Sequence, residues 1–439
     1  MSDTAIPTPE PAWAAFVALD WGSQKHAWTL QSAGGGRRNK GFVDNTPEAI
    51  AVWAADLHRR FAGQPVALEQ KRGSVVNLLL PYAHLVLFPV PASMSASYRK
   101  TFVPSGAKDD PSDASWILDL LLRHRDRLRR LEPDESNTRL LLMLVEDRRQ
   151  LVDDKTRLSL RLQDCLKQYF PQLVRWFDPD SALVADLLKQ WPDLQHLQRC
   201  HDGTLRSFFR QHHYGEERIL QRIEAIRAAV PATNDPAVLE AGSMKARHLT
   251  ESMATLREQI ARLERRRDEL VAAHPDTPIF ASFPGAGPST VPRLIAAFGT
   301  CRERYQSAFE VECDSGIAPV HIRSGKIDRV SFRHACQDFT RQTFHEFAGQ
   351  TIPRCEWANA YYQAHCHTPQ QHHAAVRALA FKWIRILFRC WKDRIPYDDQ
   401  LYLTSLRRRS GLLGQALASA TSVGWITVAG FSKLAEKSA

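Results

Sequence analysis

Four acidic residues in the first quarter of the chain have the types and positions expected of a metal-dependent phosphodiester site. Asp20 ends one apolar run, Glu69 ends a second, and Asp110 and Asp113 open a helix. Four carboxylates gathered in one pocket repel each other strongly unless divalent cations neutralise them. Two such cations brace a scissile phosphate and offset charge in its transition state. The quartet therefore predicts an enzyme that acts on nucleic acid with Mg²⁺, in two ions, as its cofactor.

Each of these residues also has a purely structural interpretation. Asp20 could cap a turn, and Glu69 could be an ordinary surface residue. The segment 110–113 suits a helix start, with Asp110 as N-cap, proline at N1 and Asp113 favoured by the helix dipole. A spacing of three places Asp110 and Asp113 on one helix face, so both can reach a shared site. That shared face, and the order of the four along the chain, favours the metal site.

Alternating strand and helix signals over residues 14 to about 130 indicate the elements that position these carboxylates. Strands are predicted over 16–19, 26–31, 40–43, 65–69 and 85–90, and helices over 46–61, 73–82 and 110–131. Hairpin strands followed by helix–strand–helix–strand–helix are the order of the ribonuclease-H-like fold. The mixed sheet of that fold holds its catalytic carboxylates at strand ends.

Two long helices are predicted in the middle of the chain, over 137–172 and 236–272. Apolar residues of the second step by 4, 3, 4, 3 and 7, an a/d heptad pattern interrupted at Arg267; they are Leu249, Met253, Leu256, Ile260, Leu263 and Leu270. An amphipathic helix packed on its own domain would also give such a pattern. Its strictness favours an antiparallel hairpin or a dimer contact, in a coiled-coil region.

Composition limits the class of protein. The 439 residues are too many for one ordinary core, so two or three domains are expected. A net charge of +10 makes a polyanionic partner plausible, although a basic housekeeping enzyme would share it. Eight cysteines without CxxC spacing, a polar proline-rich start and no apolar run able to span a membrane predict a cytoplasmic protein with reduced thiols.

Short blocks in both halves of the chain resemble the DEDD transposases of insertion sequences. Asp20, Glu69 and the Lys-Asp-Asp-Pro-Ser-Asp-Ala segment at 108–114 are similar to the family's D, E and KxDxxDA blocks. In the second half, 284–287 resembles its PGxG block, 316–319 its GLxP block, 324–326 its SG block and 341–346 a block of one branch. The likeness covers about residues 14–131 and 276–390. It departs from the family at Trp21 and at Gln337-Asp338.

The resemblance implies a recombinase with a Holliday-junction-resolvase-like N-terminal domain and a C-terminal serine transposase domain. It implies guidance by a noncoding bridge RNA and strand exchange between double-stranded donor and target DNA. Carried over by motif, the nucleophile is Ser324, which would form a transient 5′-phosphoserine link. The family's composite site implies a homodimer or tetramer. Taken alone, Ser324-Gly325 between two predicted strands is typical of a hairpin turn, and this alternative stays open.

Basic residues of the second half are the candidates for contact with nucleic acid. They are Arg323, Lys326, Arg341, Lys382 and Arg385. The first two flank Ser324 and could hold a phosphate. The last two lie among Trp383, Phe388 and Trp391, which could stack on bases, although helical spacing favours a core position. A group of histidines with Cys366 over 365–373 matches no standard zinc spacing, and a metal role is not expected there.

Together these features predict an α/β plus α protein in five segments. They are a disordered tail over 1–13, a ribonuclease-H/resolvase-like catalytic domain over 14–131, a helical coiled-coil region over 132–274, a mixed, mostly helical serine transposase domain over 275–400 and a tail over 401–439. Two other functions remain open. One is a metal-dependent junction endonuclease that uses water as nucleophile; the other is a non-catalytic RNA-binding assembly factor.

Overall fold

The computed structural model describes residues 13–61, 64–68, 73–102, 110–325 and 327–408. The chain divides into two compact units, Met1–Pro133 and Asp134–Ala439. Glu69 and Lys326 lie outside the described residues, and so does the side chain of Asp110.

A five-stranded mixed sheet forms the centre of the first unit. Its strands are β1 (Ala15–Asp20), β2 (Lys25–Ser32), β3 (Asn39–Asp44), β4 (Gln64–Leu68) and β5 (Leu85–Pro89). They lie in the order β3-β2-β1-β4-β5, with β1, β2 and β3 antiparallel and β4 and β5 parallel to β1. Each of the five predicted strands is present, with its bounds shifted by one residue at most.

Helices cover both faces of this sheet: α1 (Pro47–Arg60), α2 (Ser74–Leu79), α3 (Ala92–Phe102) and α4 (Asp110–His124). Because successive residues of a strand point to opposite faces, β1 contributes to two cores. Val17 and Leu19 pack with α1 and α2, whereas Phe16 and Ala18 pack with α4. The predicted last helix is shorter than expected, since α4 ends at His124 and a 3₁₀ turn follows.

Two long antiparallel helices begin the second unit and give it a spine. They are α5 (Ser136–Tyr169) and α11 (Pro236–Ala273), and between them lie α6 (Pro171–Trp176), α7 (Ala182–Gln190), α8 (Leu194–Arg199), α9 (Asp202–Gln211) and α10 (Glu216–Ala228). Thr138 contacts His274, Arg148 contacts Glu264 and Cys165 contacts Gly242, so the two helices run in opposite directions. Helices α6 to α10 pack a core of their own against the end of this pair.

The predicted heptad positions of α11 are covered to different degrees. Leu249, Met253 and Leu270 are buried, and the members between them are half-buried. Arg267, which interrupts the pattern, is buried as well and pairs with Asp268. Since α5 and α11 contact each other along their lengths, a helix of the same chain covers this surface. Whether a second copy also contacts it stays a prediction.

The rest of the second unit is mostly helical and builds one aromatic core. Its elements are α12 (Thr277–Ala281), α13 (Thr290–Phe298), α14 (Ala308–Asp314), β6 (Val320–Ser324), β7 (Ile327–Ser331), α15 (Asp338–Thr351), α16 (Glu356–His365), α17 (His372–Asp393) and α18 (Asp399–Arg408). Trp357, Trp383 and Trp391 are fully buried in this core. The idea that Trp383 and Trp391 stack on bases is therefore wrong, because both rings lie on the inward face of α17.

A buried ion pair joins α12 to the segment after α13. Arg302 donates to both carboxylate oxygens of Asp276, one of them at 2.9 Å, and its guanidinium lies 4.7 Å from the ring centroid of Trp391. Both side chains are at most 10% exposed. Removing one partner of such a pair leaves an uncompensated charge in the core.

We expect Asp276→Ala to lower the free energy of unfolding by about 3–5 kcal/mol, because Arg302 would stay buried without its carboxylate. Urea denaturation followed by circular dichroism measures the change. The matched control is Glu269→Ala, which removes a carboxylate from the exposed pair with Arg266 and should cost less than about 1 kcal/mol. Equal losses for the two variants would contradict this role of the buried pair.

None of the helices in the described ranges is both long and apolar enough to cross a membrane.

Candidate active site

Asp20 is the last residue of β1, and it is buried, with 8% of its surface exposed. Leu19 pairs with Leu68, the last residue of the parallel strand β4. The carboxyl ends of β1 and β4 therefore meet at one edge of the sheet. Glu69 follows Leu68 directly in sequence and lies outside the described residues.

Helix α4 runs antiparallel to β1, and its start therefore lies at the edge that holds Asp20. The hydroxyl oxygens of Ser115 on α4 and Thr29 on β2 are 3.4 Å apart, at the level of the middle of β1. One turn further along α4, Asp119 lies near the beginning of β1, where Arg38 binds it at 2.6 Å. The residues of α4 that precede Ser115 therefore lie closer to Asp20.

Asp113 lies two residues before Ser115. At about 1.5 Å per residue, two helical residues correspond to roughly one strand residue of about 3.3 Å. This brings Asp113 to the level of Leu19, one residue before the end of β1. Asp113 is buried, with 6% exposed. The structure thus brings two of the four predicted carboxylates, Asp20 and Asp113, to the same edge of the sheet.

Arg99 of α3 binds Asp113 directly, with Nη1 2.5 Å from Oδ1. Sequence analysis predicted neither α3 nor this residue. Helix α3 contains three serines and buries Ser95 alone, so it lacks the apolar periodicity by which helices are recognised. The guanidinium compensates the charge of a buried carboxylate, and arginine also binds phosphate oxygens. Arg99 therefore belongs to the candidate site.

The donor set at this edge fits a hard divalent cation. Carboxylate oxygens are the ligands that Mg²⁺ prefers, and two buried carboxylates with one arginine leave net negative charge. Within the described part of the chain, no three His, Cys, Asp or Glu side chains form a group able to hold a metal ion. Glu69 and the Asp110 side chain are not among the described side chains. Asp20 and Asp113 are therefore the described half of the predicted ligand set.

The turn that follows Asp20 is held by a buried histidine. The Gly22 N–H donates to His26 Nδ1 at 3.2 Å, so the ring proton sits on Nε2, 3.2 Å from Asn45 Oδ1. Asn45 also donates to the Ser23 carbonyl at 3.1 Å. Burial lowers the pKa of His26, and its hydrogen bond to Asn45 offsets this in part. Protonation would place a second proton against the Gly22 N–H, so the folded turn requires the neutral ring.

We expect the free energy of unfolding to fall as the pH drops below the ordinary histidine value of 6.5. In that range the unfolded chain binds a proton that the folded His26 binds less readily, so stability is fully present above pH 6.5 and is lost towards the lowered pKa. Denaturant titrations between pH 8 and pH 5 measure the slope. His26→Gln should reduce it without abolishing it, because burial lowers the pKa of His84 as well. Identical slopes for both proteins would contradict the assignment.

The hairpin β6–β7 presents Ser324 in the second unit. Ser324 pairs with Ile327 across a two-residue loop, and it is exposed. Gly325 has a φ of +55°, a left-handed conformation that favours glycine in such loops. Arg323 forms an exposed ion pair with Asp328 at 3.2 Å. Among the described residues no side chain hydrogen bonds to Ser324.

The remaining predicted nucleic-acid contacts lie on two helices. Lys382 of α17 lies 5.0 Å from the ring centroid of Tyr361. Arg385 is 60% exposed and binds Glu312, which is fully buried, at 2.9 Å. Burial raises the pKa of Glu312 although Arg385 lowers it. Arg385 thus has an internal partner in addition to its exposed surface.

Arg341 of α15 holds the segment after β7. It donates to the carbonyls of Arg333 and His334 at 3.2 Å each, and it pairs with Asp338 at 3.3 Å. Its guanidinium also lies 4.4 Å from the ring centroid of Phe332. These contacts give Arg341 a structural role beside any contact with nucleic acid.

Two of the histidines between 365 and 373 contact neighbouring tyrosines. His365 stacks on Tyr361 with ring centroids 4.1 Å apart, and the Tyr362 hydroxyl lies 2.8 Å from His372 Nδ1. Cys366 contacts the same hydroxyl at 3.2 Å. These contacts stabilise the segment that connects α16 to α17.

The backbone conformation and close packing at two positions in the family-like blocks explain why each of these residues is a glycine. Gly285 has a φ of +81°, and a Cβ there would lie 2.9 Å from the Gln350 carbonyl of α15. Gly316 has a φ of +69°, and a Cβ there would collide with Cys336. A side chain at Gly285 would push its segment away from the α15 backbone, and one at Gly316 would displace the Cys336 side chain. The blocks therefore build the scaffold from which β6 begins.

Comparisons with known proteins agree with this arrangement. A DEDD transposase model of the IS110 type, described as "Transposase", matches residues 17–171, and one described as "Transposase IS116/IS110/IS902 family" matches residues 277–363. A Streptomyces coelicolor protein named as a mini-circle transposase for IS117 is 24% identical, with 89% of this chain and 97% of that protein covered. The "Insertion element IS110 uncharacterized 43.6 kDa protein" of the same organism is 25% identical over 88% of this chain and 96% of its own length.

The first match includes Asp20 and Asp113, and the second includes Ser324 and Arg341. The two candidate sites therefore lie in the regions that the family models describe. The chain belongs to the DEDD transposases of the IS110 family, enzymes of DNA transposition.

Proposed function

We propose that this transposase is an RNA-guided DNA recombinase that uses carboxylate-bound Mg²⁺ and a serine nucleophile. The main support is the convergence of buried Asp20 and Asp113 at one edge of a sheet ordered β3-β2-β1-β4-β5. That order, with β4 and β5 parallel to β1, is the one expected of a ribonuclease-H-like domain. We therefore interpret the first unit as a resolvase-like domain, with Glu69 and Asp110 completing its ligand set.

Asp20 and Asp113 would hold the metal ions together with Glu69 and Asp110. When bound, the ions would neutralise charge on the scissile phosphate and on the oxygens that attack and leave it. The protein's own part is to keep the carboxylates in place. Burial in the sheet edge, the Arg99 pair and the His26-locked turn all serve to position them.

Ser324 would supply the nucleophile. Its Oγ forms a bond to phosphorus while the bond from phosphorus to the 3′ oxygen breaks, and the electron pair stays on that oxygen, which takes a proton from water. The serine proton passes to a base that lies outside the described surroundings of Ser324. A 5′-phosphoserine results, and the 3′ hydroxyl of a second strand reverses the step to complete the exchange.

The partners follow from the same proposal. Donor and target DNA are the substrates, and a noncoding bridge RNA selects them; the net charge of +10 suits both polyanions. The carboxylates and Ser324 lie in different units, which suits a homodimer or tetramer with sites shared between copies. The reaction takes place in the cytoplasm, on the nucleoid DNA.

A covalent-adduct assay tests the proposal. The full chain is mixed with Mg²⁺, end-labelled donor and target DNA and RNA transcribed from the flank of the element. We expect a protein–DNA adduct that survives denaturation, and recombinant joints that require the RNA. Nicks without adduct would indicate the metal-dependent endonuclease with water as nucleophile. RNA binding without any DNA cleavage would indicate the assembly factor.

A further inference from the structure

An open cavity of about 380 Å³ lies beside the hairpin that carries Ser324. Its walls come from three places: Phe332 directly after β7, helix α15 and Arg377 of α17. The α15 residues that face it include Asp338, Arg341 and Glu346. Among the predicted site residues that the structure describes, Arg341 is the one that lines this cavity.

Two arginines share one aromatic ring in this cavity. The guanidiniums of Arg341 and Arg377 both lie 4.4 Å from the ring centroid of Phe332. A cation over a ring face is stabilised by the ring quadrupole. The contact holds the two guanidiniums close to each other in spite of their like charges. Burial, and after it the charge of Arg341, lowers the pKa of Arg377.

The two acidic residues of the cavity do not neutralise all the positive charge of its arginines. Glu346 is already bound by Arg149 at 3.5 Å and by Arg293. Asp338 is 92% exposed and pairs with Arg341 at 3.3 Å. Arg377 is half-buried and has neither an ion pair nor a hydrogen bond to any residue in the described part of the chain. The planar Arg377 guanidinium, with its five N–H groups, is thus not bonded to any acceptor among the described residues.

We propose that Arg377 and Arg341 bind a backbone phosphate of the DNA strand that Ser324 attacks. The proposal rests on the function proposed above for Ser324 and adds a second anchor for the same strand. The pair fits a phosphodiester because the Arg377 guanidinium can donate two parallel hydrogen bonds to phosphate oxygens, while Arg341, already bonded to Arg333, His334 and Asp338, adds its positive charge. Phe332 keeps both guanidiniums in position before the strand arrives, so little conformational entropy is lost on binding.

The length of the β6–β7 hairpin sets the distance between Ser324 at its tip and the arginine pair beside its base. Ser324 pairs with Ile327 at the tip, and Val320 pairs with Ser331 at the base, next to Phe332. Five strand residues at about 3.3 Å each span roughly 17 Å. At about 3.4 Å per base pair of B-form DNA, this equals about five nucleotides. The bound phosphate should therefore lie about five nucleotides from the exchange point.

Binding of element-end duplex DNA by the RNA-loaded full chain tests the proposal. We expect Arg377→Gln to weaken binding and to reduce the slope of log K against log salt by about one, as for one lost phosphate contact. Arg377→Lys should keep the slope and weaken binding less. Asp338→Asn removes the negative charge at the cavity rim and should tighten binding. These opposite signs separate a phosphate site from general loss of fold.

The matched control is Arg389→Gln, which removes the same charge from the same helix. Arg389 is 78% exposed and pairs with Asp393 outside the cavity. For Arg389→Gln, the slope of log K against log salt should equal that of the wild type. If the Arg377→Gln and Arg389→Gln slopes coincide, the proposal is wrong. It is also wrong if Arg377→Gln weakens binding of the RNA alone and leaves DNA binding unchanged.

Single methylphosphonate substitutions locate the contacted phosphate. Neutralising one phosphate about five nucleotides from the exchange point should weaken wild-type binding and have no further effect in Arg377→Gln. Absence of any such position would overturn the proposal. The binding test involves no bond formation by Ser324, so a failure of the serine mechanism in the adduct assay leaves this test readable.

Discussion

Ser324→Ala is expected to abolish both the covalent protein–DNA adduct and the recombinant joints. The substitution removes the only atom proposed to form the phosphoserine bond. Loss of a nucleophile that acts in concert with other groups reduces a rate by up to about a millionfold in a serine hydrolase, so no product should be detected. Denaturing gels of end-labelled DNA, with wild type alongside, measure the outcome.

The surroundings of Ser324 make this a clean substitution. The side chain is exposed on the hairpin tip and accepts or donates no hydrogen bond with other described residues, so the fold should not change. Ser331→Ala at the base of the same hairpin is the matched control and should retain adduct formation. If Ser324→Ala still yields recombinant joints, the serine mechanism is wrong and Ser324 is a turn residue.

Asp20→Ala is expected to abolish DNA strand exchange while the chain remains folded, and Asp113→Asn should do the same. Losing an outer partner of a metal ligand costs about 10–100-fold, so losing a ligand itself should cost more than about a hundredfold. Strand exchange at several Mg²⁺ concentrations measures activity, and calorimetric titration with Mg²⁺ measures binding directly. Both binding and exchange should fall together.

Asp126→Asn is the matched control because Asp126 is an exposed carboxylate of the same unit, on the 3₁₀ turn after α4. It should leave both Mg²⁺ binding and strand exchange unchanged. Retained strand exchange by Asp20→Ala would rule out the metal-site assignment. Loss of exchange with normal Mg²⁺ binding would instead assign Asp20 to positioning of the DNA.

The two results together distinguish the three candidate functions. Loss of all products in both variants supports the serine recombinase. Continued nicking by Ser324→Ala, with no cleavage by Asp20→Ala, supports a metal-dependent endonuclease with water as nucleophile. RNA binding that is unaffected by either change, in a protein that never cleaves DNA, supports an assembly factor.

Local sequence was sufficient to predict the strands and helices of the first unit, apart from α3, and the two long middle helices. The apolar run that ends at Asp20 forms β1, Thr46-Pro47 begins α1, and the two long middle helices end within a few residues of their predicted limits. The reason is that periodicity, capping and turn chemistry act within one element. Membership of the DEDD transposases could be predicted for a similar reason, because the sequence blocks of this family are short and contiguous.

The tertiary structure alone decided which side chains meet. Arg99 lies on a serine-rich helix that has little apolar periodicity. Its ion pair with Asp113 could therefore not be predicted from the local sequence. Trp383 and Trp391 are buried because α17 turns that face to the core.

The Phe332 ring likewise joins Arg341 and Arg377, which are far apart in sequence. Sequence determined the elements and the family, since these depend on neighbours along the chain. The charge balance of the carboxylate edge and the arginine cavity depends on packing between distant elements, and only the folded chain specifies it.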